Sequence, residues 1–177
     1  MLVNGTDIWQ EYGVFLTEEK KGGRENLNAI LTPSKTKTHV GVDIREANGK
    51  KYSRTLAVAN QEREVTLHFA QYAQTRTEWL QKYQAFIQFL KTGENGWLNV
   101  RFPSLGLTLR MYYSSSTQFR SLTYLWKEGV QAGRYKVTFK EPEPIIELRW
   151  HRNIQNNKND IKTPLEYAFN TIRPVRQ

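Results

Sequence analysis

Two runs, EREVTLHF at residues 62–69 and GRYKVTFK at residues 133–140, alternate polar and apolar side chains with little interruption. In the first, Val65, Leu67 and Phe69 alternate with Glu64, Thr66 and His68; in the second, Tyr135, Val137 and Phe139 alternate with Arg134, Lys136, Thr138 and Lys140. A period of two places alternate side chains on opposite faces of an extended chain, so each run is a strand with one face buried and one wet. WLNVRFP (97–103), LGLTLRMYY (105–113) and SLTYLWKE (121–128) read as further strands. So does Tyr12–Thr17, where Tyr12, Val14 and Leu16 alternate with Gly13, Phe15 and Thr17. Pro142 and Pro144 end the last strand, because proline has no N–H for the ladder. Several short half-buried strands with close turns predict a mainly β chain, a β-sandwich or barrel.

Turn signals divide the first third. Asn4-Gly5 and Asn48-Gly49 favour tight turns, and KKGGREN (20–26) is a polar break. The second Asn-Gly predicts a hairpin, Thr38–Arg45 with Val40, Val42 and Ile44 in alternation, returning as Lys51–Val58. Its arms are unusually polar, which predicts that it projects from the body.

One helix stands out, over about residues 77–92. Thr75 and Glu78 have the spacing of a capping box, and Gly93 is placed to end the helix. Trp79, Tyr83, Phe86 and Leu90, with Leu80 and Ile87 beside them, form one broad apolar stripe along a helix about 24 Å long from Thr77 to Thr92 at 1.5 Å per residue. Aromatics at helical spacing are ordinarily core, so the stripe predicts a helix that flanks and covers the sheet.

Composition limits the chemistry. At 20.8 kDa, roughly 70% of the unfolded surface is expected to be buried on folding, enough for a core without staples. With no cysteine, disulfides and thiolate metal sites are excluded. The opening MLVNGTDIWQ lacks the basic and apolar regions of a secretory signal, and no apolar run approaches a membrane span. His39, His68 and His151 are scattered without zinc-pair spacing, and G-x-S-x-G, P-loop and G-x-G-x-x-G patterns are absent. Glu62/Glu64 and Glu141/Glu143 are paired only in sequence, at the start and end of strands, where solvated charge is expected. No enzyme, cofactor or metal is predicted.

The net charge of +9 is spread along the chain: residues 145–177 hold six basic and three acidic residues. Lys35, Lys37, Arg45, Lys50, Lys51 and Arg54 gather around the polar hairpin with His39 and Tyr52, a pattern that suits phosphate contact and base stacking as well as a solvated arm or an oligomer contact. After Pro144 the composition shifts. IIELRWHR reads as one further strand, and the asparagine-rich remainder as an extension that is flexible or ordered by a partner, giving a division at 1–144 and 145–177.

Taken in order, VNGTDIWQEYGVFLTE, LTPSKTKTHV, EREVTLHFAQ, WLQKYQAFIQFLKTG, WLNVRFPSLGLTLRMYYSSS and QAGRYKVTFKEPEP resemble the N-terminal domain of tailed-phage distal tail proteins, over roughly residues 3–144. The resemblance implies a tail-tube-like β-sandwich or split barrel with one flanking helix. It also implies a virion-tail protein, made in the bacterial host cytoplasm, whose copies assemble into a hexameric ring joining the tail tube to the baseplate or fibre hub. Partners would be other copies, the tube, tape-measure and hub proteins, with DNA passing through the lumen without sequence-specific binding and no membrane. The hairpin residues Lys35, Lys37, His39, Arg45, Lys50, Lys51 and Arg54 are the candidate ring contact or lumen wall. Many relatives carry a second domain, for which residues 145–177 are too short. Rival readings are a nucleic-acid-binding β module using the basic hairpin, and a tail-tube or head–tail connector subunit.

Overall fold

The computed structural model describes residues 1–124 and 128–144, so the readings made for residues 145–177 lie outside the described residues. The strands are β1 (Leu2–Val3), β2 (Thr6–Asp7), β3 (Val14–Leu16), β4 (Val42–Asp43), β5 (Lys50–Lys51), β6 (Arg63–Ala73), β7 (Leu98–Phe102), β8 (Leu107–Ser121) and β9 (Gln131–Glu141). Helices α1 (Ile8–Tyr12), α2 (Glu25–Leu31) and α3 (Arg76–Thr92) punctuate them. Seven strands form one antiparallel sheet in the order β2-β1-β7-β8-β9-β6-β3, while β4 and β5 pair only with each other. The fold is mainly β, a curled antiparallel sheet of the sandwich or half-barrel kind.

The two alternating runs are neighbours. β6 and β9 pair without a slip from Arg63↔Glu141 to Ala73↔Gln131, so Val65, Leu67 and Phe69 share a face with Tyr135, Val137 and Phe139. All six are buried. Each such side chain contributes about 1.5–3 kcal/mol relative to exposure. β8 supplies the bend. Its first part, Leu107–Met111, pairs with β7, whereas its second part, from Tyr112, pairs with β9 through register shifts between Tyr113 and Ser115 and between Thr117 and Arg120. Such bulges kink a strand and increase its twist, which carries Leu98, Val100, Leu109 and Met111 round to the same core as Phe69 and Phe139.

α3 closes that core. The Glu78 amide donates to Thr75 Oγ1 at 3.2 Å, and the Gln74 amide donates to the Glu78 carboxylate at 3.2 Å, one residue before the cap itself. Trp79, Phe86 and Leu90 are buried, and Tyr83 and Ile87 pack at the margin. Leu80 is the correction: it is 42% exposed, because it lies on the flank of the stripe facing solvent. At the far end the Gly93 amide donates to the Phe89 carbonyl. Gly93 has φ +48°, and a Cβ there would lie 2.5 Å from the Trp97 carbonyl oxygen, so glycine lets the chain double back into β7.

Four other expectations change. The segment before Gly13 is a helical turn, not strand: the Asp7 carboxylate caps α1 by accepting from the Trp9 amide, and Gly13 in the left-handed region ends it. The polar break runs directly into the unforeseen α2. The 38–58 hairpin keeps its Asn-Gly turn but pairs only over two residues a side, Val42↔Lys51 and Asp43↔Lys50. Residues 122–124 of the SLTYLWKE run are not strand, while β8 extends to Ser121; residues 125–127 are outside the described set.

Candidate assembly surfaces

Between Leu31 and Glu62 no side chain is buried. Among the described residues, the backbone hydrogen bonds that hold this arm to the body lie at its root. There Lys37 N donates to Ala59 O and Gln61 N to Lys35 O, both at 2.7 Å, around the bridge Thr36↔Asn60. The Asn60 side-chain amide reaches the Pro144 carbonyl at 3.2 Å. Behind the root stands Arg63, whose Nε donates to Glu141 at 2.8 Å and whose guanidinium also donates to the carbonyls of Ile30 and Thr32 at the end of α2. One buried cation thus ties the helix end, the arm and the sheet together.

The seven candidate residues all lie on this arm, and it separates them. Lys35 and Lys37 belong to the root, Lys50 and Lys51 to the distal strand opposite Asp43 and Val42, and Arg45 to the connecting turn; His39 is half-buried and Arg54 exposed on the returning limb. The cations line the arm rather than converging on a point. Between them the arm exposes Val40 (92%), Val42, Leu56 and Val58. Gly41 lies under Tyr52, where a Cβ would fall 2.7 Å from the ring.

A second exposed apolar surface sits at the β3 edge of the sheet. Trp9 and Phe15 meet edge to face with centroids 5.5 Å apart, and Phe15 stands opposite Ala70, on the same sheet face as Tyr72. Trp9 is 52% exposed, Phe15 42% and Tyr72 41%.

A cleft of about 540 Å³ is lined by Glu18, Glu19, His68, Arg120, Arg134 and Lys136, among others. Lys136 is 3.4 Å from Glu19, and the buried Nε of Arg134 has no hydrogen-bond partner. A hydrogen bond with the Glu18 carboxyl is the main cause holding the Glu25 carboxyl below the usual range. Neither Glu62 nor Glu64 lines this cleft. Both pair with Lys140, at 3.4 and 3.7 Å, and Glu141 pairs with Arg63. Among the described residues no three His, Asp or Glu side chains gather as a metal site, and no helix is long and apolar enough to cross a membrane.

Sequence reasoning missed Asn26. Its Oδ1 accepts from the His68 amide at 2.7 Å, while its Nδ2 donates to Thr17 O at 2.7 Å and to His68 O at 3.3 Å. This one amide group extends the ladder where β3 stops, and it joins Thr17 to His68, both of which line the cleft. Nothing in an Asn beside a polar break signals that role.

No family model matches the sequence, and no curated protein matches it. A solved structure does: the crystal structure of SPP1 Dit (gp 19.1) superposes with a TM-score of 0.53 at 11% identity. In fold, the chain is similar to SPP1 Dit. The match covers 81% of this chain and 49% of SPP1 Dit, so the chain spans about half the length of that protein. SPP1 Dit is described as a paradigm of the hub adsorption apparatus in phages that infect Gram-positive bacteria. At 11% identity, what SPP1 Dit and this chain share is the fold.

Proposed function

We propose that this protein is a structural subunit of a phage or prophage tail tip, and that it acts by assembly, carrying out no reaction. In this reading six copies form a ring that joins the tail tube to the baseplate or fibre hub, and DNA passes through its lumen without sequence-specific contacts. The observation that carries the reading is the likeness of fold to SPP1 Dit over 81% of the chain. The arm adds physical support: an exposed, apolar and basic projection with no core of its own is what a subunit needs to grip a neighbour. Closed cyclic symmetry would satisfy such contacts without runaway growth.

The test is assembly. Mass photometry and negative-stain electron microscopy of the purified protein, alone and mixed with candidate tube and hub proteins of its own phage or prophage, should show a six-fold ring with a central hole. A protein that stays monomeric in every mixture at high concentration would overturn the reading.

A further inference from the structure

The arm and the aromatic patch lie at opposite ends of the same strand. Arg63, at the arm's root, begins β6, and Tyr72 stands nine residues on, roughly 30 Å away at 3.3 Å per residue. Both surfaces are exposed in the same molecule, so the arm does not cover its own patch. The arm is basic, with six lysines and arginines in residues 32–62 against Asp43, Glu46 and Glu62, whereas α1, which carries Trp9, has the exposed Glu11 and no lysine or arginine. The patch also has a boundary on its inner side. Ala70, opposite Phe15, is followed across the sheet by Arg134, whose charge repels a basic arm and confines it to the β3 side.

We propose that the arm of one copy docks on the next copy's β3 edge. Its Val40, Val42 and Val58 cover Trp9, Phe15 and Tyr72, and its cations lie beside Glu11. The proposal rests on the ring reading above and supplies its contact. Two different surfaces set roughly 30 Å apart on one subunit make a head-to-tail interface, which closes into a ring when the rotation between copies allows it.

The absence of cysteine makes the contact testable by a single engineered pair. Full-length Val42→Cys and full-length Phe15→Cys, carrying different tags, are mixed and oxidised, while mass photometry reads assembly independently. A mixed disulfide between the two chains is expected, and Val42→Cys mixed with Thr108→Cys, on an exposed position of β8, should give none. Rings without the mixed disulfide, or with the control joined equally well, overturn the contact and leave the ring reading standing. A mixed disulfide without rings upholds the contact and sinks the ring. Neither product sinks both. In a second arm, Phe15→Glu should raise the concentration needed for assembly at least about tenfold if the aromatic anchors the interface. Unchanged assembly by a folded Phe15→Glu protein also overturns the proposal.

Discussion

Arg63 and Glu141 face each other across the first rung of the β6–β9 ladder, both buried, with Nε and carboxylate 2.8 Å apart. Without the carboxylate, Arg63 would keep the carbonyls of Ile30 and Thr32 but have no counter-charge in a buried site. Glu141→Gln is expected to lower stability by about 3–5 kcal/mol, read as a shift of the urea midpoint. Arg63→Met combined with Glu141→Leu should recover more than half of that loss, since an apolar pair strands no charge.

The helical stripe separates by burial. Phe86→Ala should cost about 3–5 kcal/mol, because Phe86 fills the space among Tyr12, Phe69 and Tyr135. Leu80→Ala, on the wet flank, should stay within about 1 kcal/mol. Equal losses in thermal or urea unfolding would show that α3 is rotated from the orientation described.

Asn26→Ala removes three hydrogen bonds and takes the Asn26 partner from the His68 amide and the Thr17 carbonyl, while the Thr17 amide still donates to the His68 carbonyl. A loss of about 1–3 kcal/mol is expected. Hydrogen exchange should speed up at the His68 amide first. An unchanged exchange rate at His68 would refute the role assigned to Asn26.

The ladder was legible because its residues obey one period. From Val65 and Phe139 outward, the parity of each run gives both the core face and, in hindsight, the ion pair. Arg63 and Glu141 stand at core-parity positions of β6 and β9, and opposite charges at such positions signal a buried partner. The short helices were not legible for a physical reason. α1 has five residues and α2 seven, too few for a 3.6-residue period to rise above the alternating background. The arm's cations could be read as exposed, but its strands could not be bounded, since a hairpin without a buried face gives register nothing to fix. The patch was half visible: Phe15 falls on the outer parity of β3, whereas Trp9 joins it only through α1.

Burial raises the ionisation of Tyr135 well above the ordinary range, with Tyr12 and Tyr113 raised by the same cause. A group whose proton is held more tightly in the folded state gives its full contribution below its unfolded pKa. That contribution is lost as the pH rises above about 10, where the unfolded tyrosines ionise first. Stability should therefore fall on the alkaline side, and Tyr135→Phe should flatten the fall. The same substitution should cost little near neutrality, because the Tyr135 hydroxyl has no hydrogen-bond partner. A parent and variant with identical alkaline limbs would contradict this.

Among the described residues, trypsin should cut the isolated subunit first between Lys35 and Arg54, leaving the β6–β9 body intact, because that stretch contributes nothing to the core. Mass spectrometry of early fragments checks this. In assembled rings the same bonds should be protected.

A projection that carries no core residue also uncouples two histories. Substitutions between residues 32 and 62 can accumulate without weakening the sheet, provided that the root and Arg63 remain. Under the docking proposed above, the contact surface can then change while the scaffold keeps its shape, the body's fold being shared with SPP1 Dit at 11% identity.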